Sequence, residues 1–214
     1  MRLLVVAATE AEIVPFLDAM RDASQHHLDV IITGVGMVAT AAWCARALAC
    51  RHYDAAFNLG LCGAFDPSLA PGTVVHVVVD RMPELGAEDG PAFISMHDLK
   101  LLPADEFPYD GGRLVNGAPP KSRALRALPA VTGITVNTVH GHEPSIEAVS
   151  ARYAPQVESM EGAGFMYACA ISEVPFAQVR AVSNVVERRN RAAWKIEDAV
   201  RSLGAAAVRI VESL

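Results

Sequence analysis

Positive charge is in short supply in this 214-residue chain, with 18 Lys and Arg against 24 Asp and Glu and a formal net charge of −6. Such a balance gives no general attraction for a phosphate backbone or anionic lipid, so nucleic acid and membrane surfaces are not expected partners. Cysteine is also scarce. Cys44, Cys50, Cys62 and Cys169 form no CxxC pair and no metal-knuckle spacing, so they read as reduced, mostly buried thiols and no metal is expected. No apolar run approaches the ~20 residues of a membrane span. The opening run, Leu3 to Ala8, is cut by Glu10 and Glu12 and is too short for a signal-peptide core, which leads to the expectation of a cytoplasmic protein. Against these shortages stands a composition that is 52% hydrophobic. That is enough for a large core and far from the signature of disorder. The length suits one domain over residues 1–214.

Short β-branched apolar runs alternate with helical patterns. Residues 3–8, 30–33, 55–59, 74–79, 134–138 and 176–182 read as strands, most of them apolar on successive residues as in strands covered on both faces. Residues 10–20, 38–51, 144–152, 161–172 and about 193–211 carry helical spacing. This alternation predicts a layered α/β fold with a largely parallel sheet. Residues 80–120 stand apart, dense in Pro, Gly and acidic residues. A stretch of this length without periodicity is expected to be a surface excursion, either inert or acting as a pocket lid or subunit contact.

Four segments carry chemistry. Thr33-Gly34-Val35-Gly36-Met37-Val38-Ala39 follows a strand, opens a helix and satisfies G-x-G-x-x-A. A dinucleotide site also wants an acidic residue at the end of the next strand. Asp54 precedes its strand instead, so the favoured reading is a tight turn where backbone can approach a ligand. Gly60-Leu61-Cys62-Gly63 reads as a second glycine turn, and two such turns suggest a crevice at the carboxyl edge of the sheet. Glu10 and Glu12 follow the first strand. Ordinary helix-start chemistry accounts for Glu10, whereas for Glu12 it competes evenly with a catalytic role.

In Glu158-Ser159-Met160-Glu161-Gly162, Ser159 is placed to cap a helix whose following face is almost wholly small or apolar. Glu161 then lies at a buried helix mouth, which is costly without hydrogen-bond donors, and a ligand with vicinal hydroxyls would supply two. The last segment runs from Arg180 through Ser183 and Asn184 to Trp194 and holds the densest positive cluster, Arg188, Arg189 and Arg191. Each of these arginines reads first as part of a solvated loop. Trp194 reads as core or as a rigid pocket wall.

Together these segments resemble the purine nucleoside phosphorylase and nucleosidase superfamily, and within it the methylthioadenosine/S-adenosylhomocysteine nucleosidase branch. The run Ser183-Asn184-Val-Val-Glu-Arg-Arg-Asn-Arg-Ala-Ala-Trp194 is similar to futalosine hydrolases of the alternative menaquinone route. The resemblance implies a three-layer α/β/α fold around a mixed, partly barrel-like sheet. It also implies a small-molecule nucleoside as substrate, no cofactor, and a homo-oligomer whose pockets are completed by a neighbour, with 80–120 the expected contributor.

By the same resemblance Glu12 is the general base that activates water. Glu161 holds the ribose 2′ and 3′ hydroxyls and Met160 packs on the sugar. Gly63, Cys62, Ser183, Arg180 and Trp194 are implied as substrate-binding residues. Asn184 stands where adenine-specific enzymes carry an aspartate. An amide can donate to a 6-oxo group and accept from a protonated N7, so Asn184 points to hypoxanthine rather than adenine. The related phosphorylases bind phosphate with arginines where this chain has Glu10, Glu12 and Asn58, which points to water as the nucleophile. Futalosine also carries a carboxylate on its 5′ side, for which an arginine among Arg188, Arg189 and Arg191 is the expected partner.

Overall fold

A computed structural model describes residues 1–21 and 25–214. The chain opens with β1 (Arg2–Ala7), α1 (Glu10–Met20), β2 (His27–Ile32), α2 (Met37–Cys50), β3 (Ala55–Ala64) and β4 (Val74–Asp80). Four short strands follow: β5 (Gly86–Asp89), β6 (Ala92–Ser95), β7 (Tyr109–Asp110) and β8 (Arg113–Val115). Next come α3 (Arg123–Arg126), β9 (Ala130–Thr135), α4 (Glu143–Tyr153), β10 (Val157–Ser159), α5 (Gly162–Ile171) and β11 (Phe176–Val185). A 3-10 turn at Arg191–Ala193 leads into α6 (Ile196–Glu212).

The expected mixed, partly barrel-like sheet is present. Strands β3, β10, β9, β4 and β11 form a closed ring, because β11 pairs with β3 on one side and β4 on the other. From this ring β1 and then β2 extend in parallel from the first half of β3, while β8 and β7 extend antiparallel from β4. Closure removes strand edges that would otherwise expose unpaired backbone groups. Helices cover both faces. On one side α1 and α6 pack together over Leu3, Val5, Phe57 and Val179, and on the other α2 and α5 cover Leu4, Val6 and Ala56. Strand β1 reads as an unbroken apolar run for this reason, with side chains that alternate between two cores.

Several expectations need correction. The parallel character is confined to part of the sheet, since β4 runs antiparallel to β11 and β10 antiparallel to β3. Gly60 to Gly63 is not a turn. Strand β3 runs straight through it to Ala64. Residues 80–120 are mostly turns and loop but carry short paired segments: β5 and β6 pair as a separate two-stranded sheet, and β8 joins the main one. Strand β9 starts four residues before its expected start and ends at Thr135, after which Asn137 turns to Glu84. The brief β10 went unread, since three residues are too few to show a period.

Two buried titratable groups lie on β4. Burial pushes His76 down to about 4 and Asp80 up to about 6, the latter opposed by hydrogen bonds from Gln178 and Thr135. Their effects on stability oppose each other. Unfolded His76 takes up a proton below its ordinary 6.5, so its contribution is lost as pH falls toward about 4. Asp80 ionises from 3.8 when unfolded but stays protonated to about 6 when folded, so its contribution is lost as pH rises through that window. His76→Gln is therefore expected to lose stability more steeply than the native chain between pH 4 and 6, and Asp80→Asn to gain it. Urea unfolding across that range tests this, and three parallel curves would refute it.

Candidate active site

Strand β3 is the spine of the site. Its pairing with β1 ends at Asn58 and its pairing with β10 begins at Gly63, so between them one edge of β3 has no strand partner among the described residues. A ligand crevice belongs at such a divergence of strands. The free Leu61 N–H donates instead to Glu12 Oε1, at 3.2 Å. The other carboxylate oxygen of Glu12 accepts from Thr9 N at 2.9 Å and Thr9 Oγ1 at 3.0 Å. Helix-start chemistry and presentation into a cleft are thus two uses of one side chain. A carboxylate has about four acceptor positions, so Glu12 retains one for a water.

The cleft above this edge has a volume of about 580 Å³. Glu12, Cys62, Gly63, Met160, Glu161, Ser183, Asn184 and Trp194 all line it. Arg180 does not. It is 1% exposed and lies behind Glu161, reaching Glu161 Oε2 through Nη1 at 3.3 Å. Its Nη2 donates to Asn58 Oδ1 and its Nε to Gln178 Oε1 at 3.1 Å. Gln178 Nε2 in turn donates to Asp80 Oδ2 at 2.9 Å, as does Thr135 Oγ1. A chain of polar groups therefore crosses the barrel interior and ends on the carboxylate that faces the cleft. Gly60 is required by this arrangement, because a Cβ there would collide with the Arg180 guanidinium.

The second oxygen of Glu161, Oε1, accepts from Gly36 N at 3.2 Å. Gly36 has φ +106, a conformation that side chains disfavour, and this aims its N–H at the carboxylate. The G-x-G turn thus receives a protein carboxylate where a dinucleotide site would receive pyrophosphate. Glu161 itself is the residue preceding α5, and Ser159 Oγ accepts from Gly162 N at 3.4 Å. With one donor on each oxygen, Glu161 keeps one acceptor position per oxygen for a ligand diol.

Opposite lies Asn184, whose Oδ1 accepts from Ser183 Oγ at 2.8 Å and whose Nδ2 donates to Val185 O at 2.9 Å. One N–H and one lone pair remain. Burial pushes the Cys62 thiol up to about 12, so this sulfur offers no nucleophile. At the rim, Trp194 packs under Arg189 and Arg191, at 5.5 and 5.9 Å from the ring centre. Arg191 lines the cleft, whereas Arg189 lines a smaller chamber beside it and Arg188 lines neither. No described residue of 80–120 lines the cleft. Sequence reasoning passed over Glu158, Val139 and Leu61, which also line it. The motif around Met160 contained Glu158, but only the pairing of β10 shows that its side chain faces inward.

A family model described as the phosphorylase superfamily matches residues 23–214. The futalosine hydrolase of Streptomyces coelicolor is 34% identical over 181 residues, 82% of this chain and 74% of that protein. That of Thermus thermophilus is 31% identical over 184 residues, 84% and 79% of the two chains. This chain belongs to the futalosine hydrolase family of the phosphorylase superfamily. Solved structures agree on the fold. The native futalosine hydrolase of Helicobacter pylori superposes with a TM-score of 0.81 at 12% identity, over 100% of this chain and 98% of that one. A methylthioadenosine/S-adenosylhomocysteine nucleosidase from Neisseria meningitidis gives 0.77 at 16%, over 100% and 99%.

The Arg180–Glu161 pair is buried on both sides, and removal of one partner from such a pair costs about 3–5 kcal/mol. Arg180→Met is expected to lower stability by about that amount, and Arg180→Met with Glu161→Gln to recover much of it. Chemical denaturation of the three proteins measures this. A double variant no more stable than the single one would show that the pair is not the source.

Proposed function

We propose that the chain hydrolyses the N-glycosidic bond of futalosine and releases hypoxanthine, a step of the alternative menaquinone route. The observation that carries the proposal is the placing of Glu12 and Asn184 along one strand. Glu12 is held at Leu61 and Asn184 stands beside Gly63, two residues or roughly 7 Å further along. That separation accommodates a nucleoside with attacking water at one end and the purine at the other.

In this reading Glu12 takes a proton from water as its oxygen bonds to ribose C1′, while the C1′–N9 electron pair leaves with the purine. Glu161 accepts the 2′ and 3′ hydroxyls with its two remaining positions, and Met160 walls the sugar. The departing purine takes a proton at N7 from solvent water, and Asn184 uses its free N–H for O6 and its free lone pair for that N7–H, which suits a 6-oxopurine. Arg180 is a positioning residue that acts through Glu161. Trp194 and Arg191 at the rim are the partners for the aryl ring and carboxylate on the 5′ side.

Water rather than phosphate fits as nucleophile because Arg191 is the one cation that lines the cleft among the described residues, and it sits at the rim. A phosphate dianion would face the Glu12 carboxylate, whose donors Leu61 and Thr9 are uncharged, and would find Arg180 already paired with Glu161. The reading includes a cytoplasmic enzyme, and among the described residues no helix is long and apolar enough to cross a membrane. It includes a homo-oligomer as well, supported by the exposed Leu101 and Phe107 of the 80–120 excursion.

A base-release assay on futalosine, aminofutalosine, inosine and methylthioadenosine, with and without phosphate, tests the proposal. Hypoxanthine from futalosine at a phosphate-independent rate is expected. Adenine from methylthioadenosine as the main product would replace this reading with the adenine-specific one. Glu12→Gln should lower kcat by about 10²–10⁴-fold. Asn184→Asp should shift preference toward 6-aminopurines, and an unchanged preference would contradict the role given to the amide.

A further inference from the structure

One buried carboxylate at the cleft has no part in the mechanism above. Glu158, on β10, is 3% exposed. It lines both the main cleft and the adjoining chamber of about 50 Å³, and the two cavities also share Gly63, Val139, Asn184 and Trp194. Both its oxygens are engaged by one residue. Oε2 lies 2.7 Å from His140 Nδ1, and the backbone N–H of His140 reaches Oε1 at 3.1 Å and Oε2 at 3.4 Å. These contacts fix the carboxylate firmly while leaving acceptor capacity on Oε1.

Its neighbour is Asn184. A Cβ built on Gly63 would lie 3.3 Å from Asn184 Nδ2 and 3.5 Å from Glu158 Cγ, so amide and carboxylate flank the same bare glycine. The His140 backbone N–H is spent on Glu158. The wall next to Asn184 therefore offers an acceptor. A 6-oxopurine presents an N1–H donor next to its O6, whereas a 6-aminopurine presents an N1 lone pair. A carboxylate accepts from the first and repels the second.

We infer that Glu158, clamped by His140, accepts the N1–H of the bound base and is a specificity-determining residue for 6-oxopurines. This inference rests on the nucleoside hydrolase reading and adds a second reader of the purine edge. Asn184 covers N7 and O6, and Glu158 covers O6's other neighbour. Loss of a buried, charge-assisted partner of this kind is felt as discrimination between bases rather than as a uniform loss of rate.

Two measurements test it. Calorimetry on the native protein with free hypoxanthine, 1-methylhypoxanthine and adenine should show hypoxanthine bound at least about tenfold more tightly than either, with the gap closed in Glu158→Gln. In turnover, Glu158→Gln should lower the ratio of kcat/KM for futalosine over aminofutalosine by about tenfold or more. Equal binding of hypoxanthine and 1-methylhypoxanthine by the native protein overturns the inference, as does failure of the native protein to bind hypoxanthine. So does a variant that loses both substrates in equal proportion, since that is the mark of a purely structural carboxylate. If Glu158→Gln fails to fold, the native-protein comparison still decides. Discrimination among free bases without release of base from futalosine would sink the hydrolase reading and leave the base-reading role standing.

Discussion

A guanidinium at 1% exposure inside a closed five-stranded barrel is the constraint on which the site depends. An unpaired guanidinium in that position is untenable, so its donors must find partners nearby. The barrel supplies Glu161, Asn58 and Gln178, each from a different segment. Asn58 is itself held by the Val6 carbonyl, which extends the network into β1. The carboxylate facing the cleft is therefore fixed from behind by groups that a ligand never touches. Preorganisation of this kind removes the need to order Glu161 when a ligand arrives.

The glycines follow from the same constraint. Gly60 is bare because Arg180 lies against it, and Gly36 takes a positive φ because its N–H must meet the other oxygen of Glu161. In a sequence these positions look like turn signals or a nucleotide fingerprint. In the fold, one is a flat stretch of strand and the other an anion receptor whose anion belongs to the protein. The pattern G-x-G at a helix start reports close backbone approach to negative charge, and it does not say whether that charge is a phosphate or a glutamate.

This explains what could be read in advance. Continuous apolar runs such as Leu3 to Ala7 revealed strands covered on both faces, and the helix over 10–20 followed from its spacing, because periodicity is a local property. Glu161 was legible as a buried carboxylate because a small, apolar helix face follows it. Other features depend on residues far apart in the chain. Closure of the barrel needs β11 to meet both β3 and β4, and no segment of β11 carries that information alone. Arg180 read as a ligand contact by resemblance, yet it lies deeper along β11 than Asn184, on the far side of the register shift between Val182 and Asn184, and its side chain is enclosed in the barrel. Glu158 escaped notice because a three-residue strand shows no period, and its partner His140 is eighteen residues away.

The scarcity of positive charge acquires a specific form in the folded chain. Arg180 is enclosed and neutralised by Glu161, so it adds nothing to the potential an approaching anion meets. Arg189 and Arg191 are gathered over Trp194 at the rim, outside the part of the cleft where the carboxylates stand. The cleft is thus graded from a negative floor to a positive lip. A dianion drawn to the lip meets repulsion on descending, whereas a neutral sugar and base carrying a single distal carboxylate can place each part in matching surroundings. Charge layout, more than net charge, sets the potential of the cleft, and the layout follows from which arginines the barrel closes over.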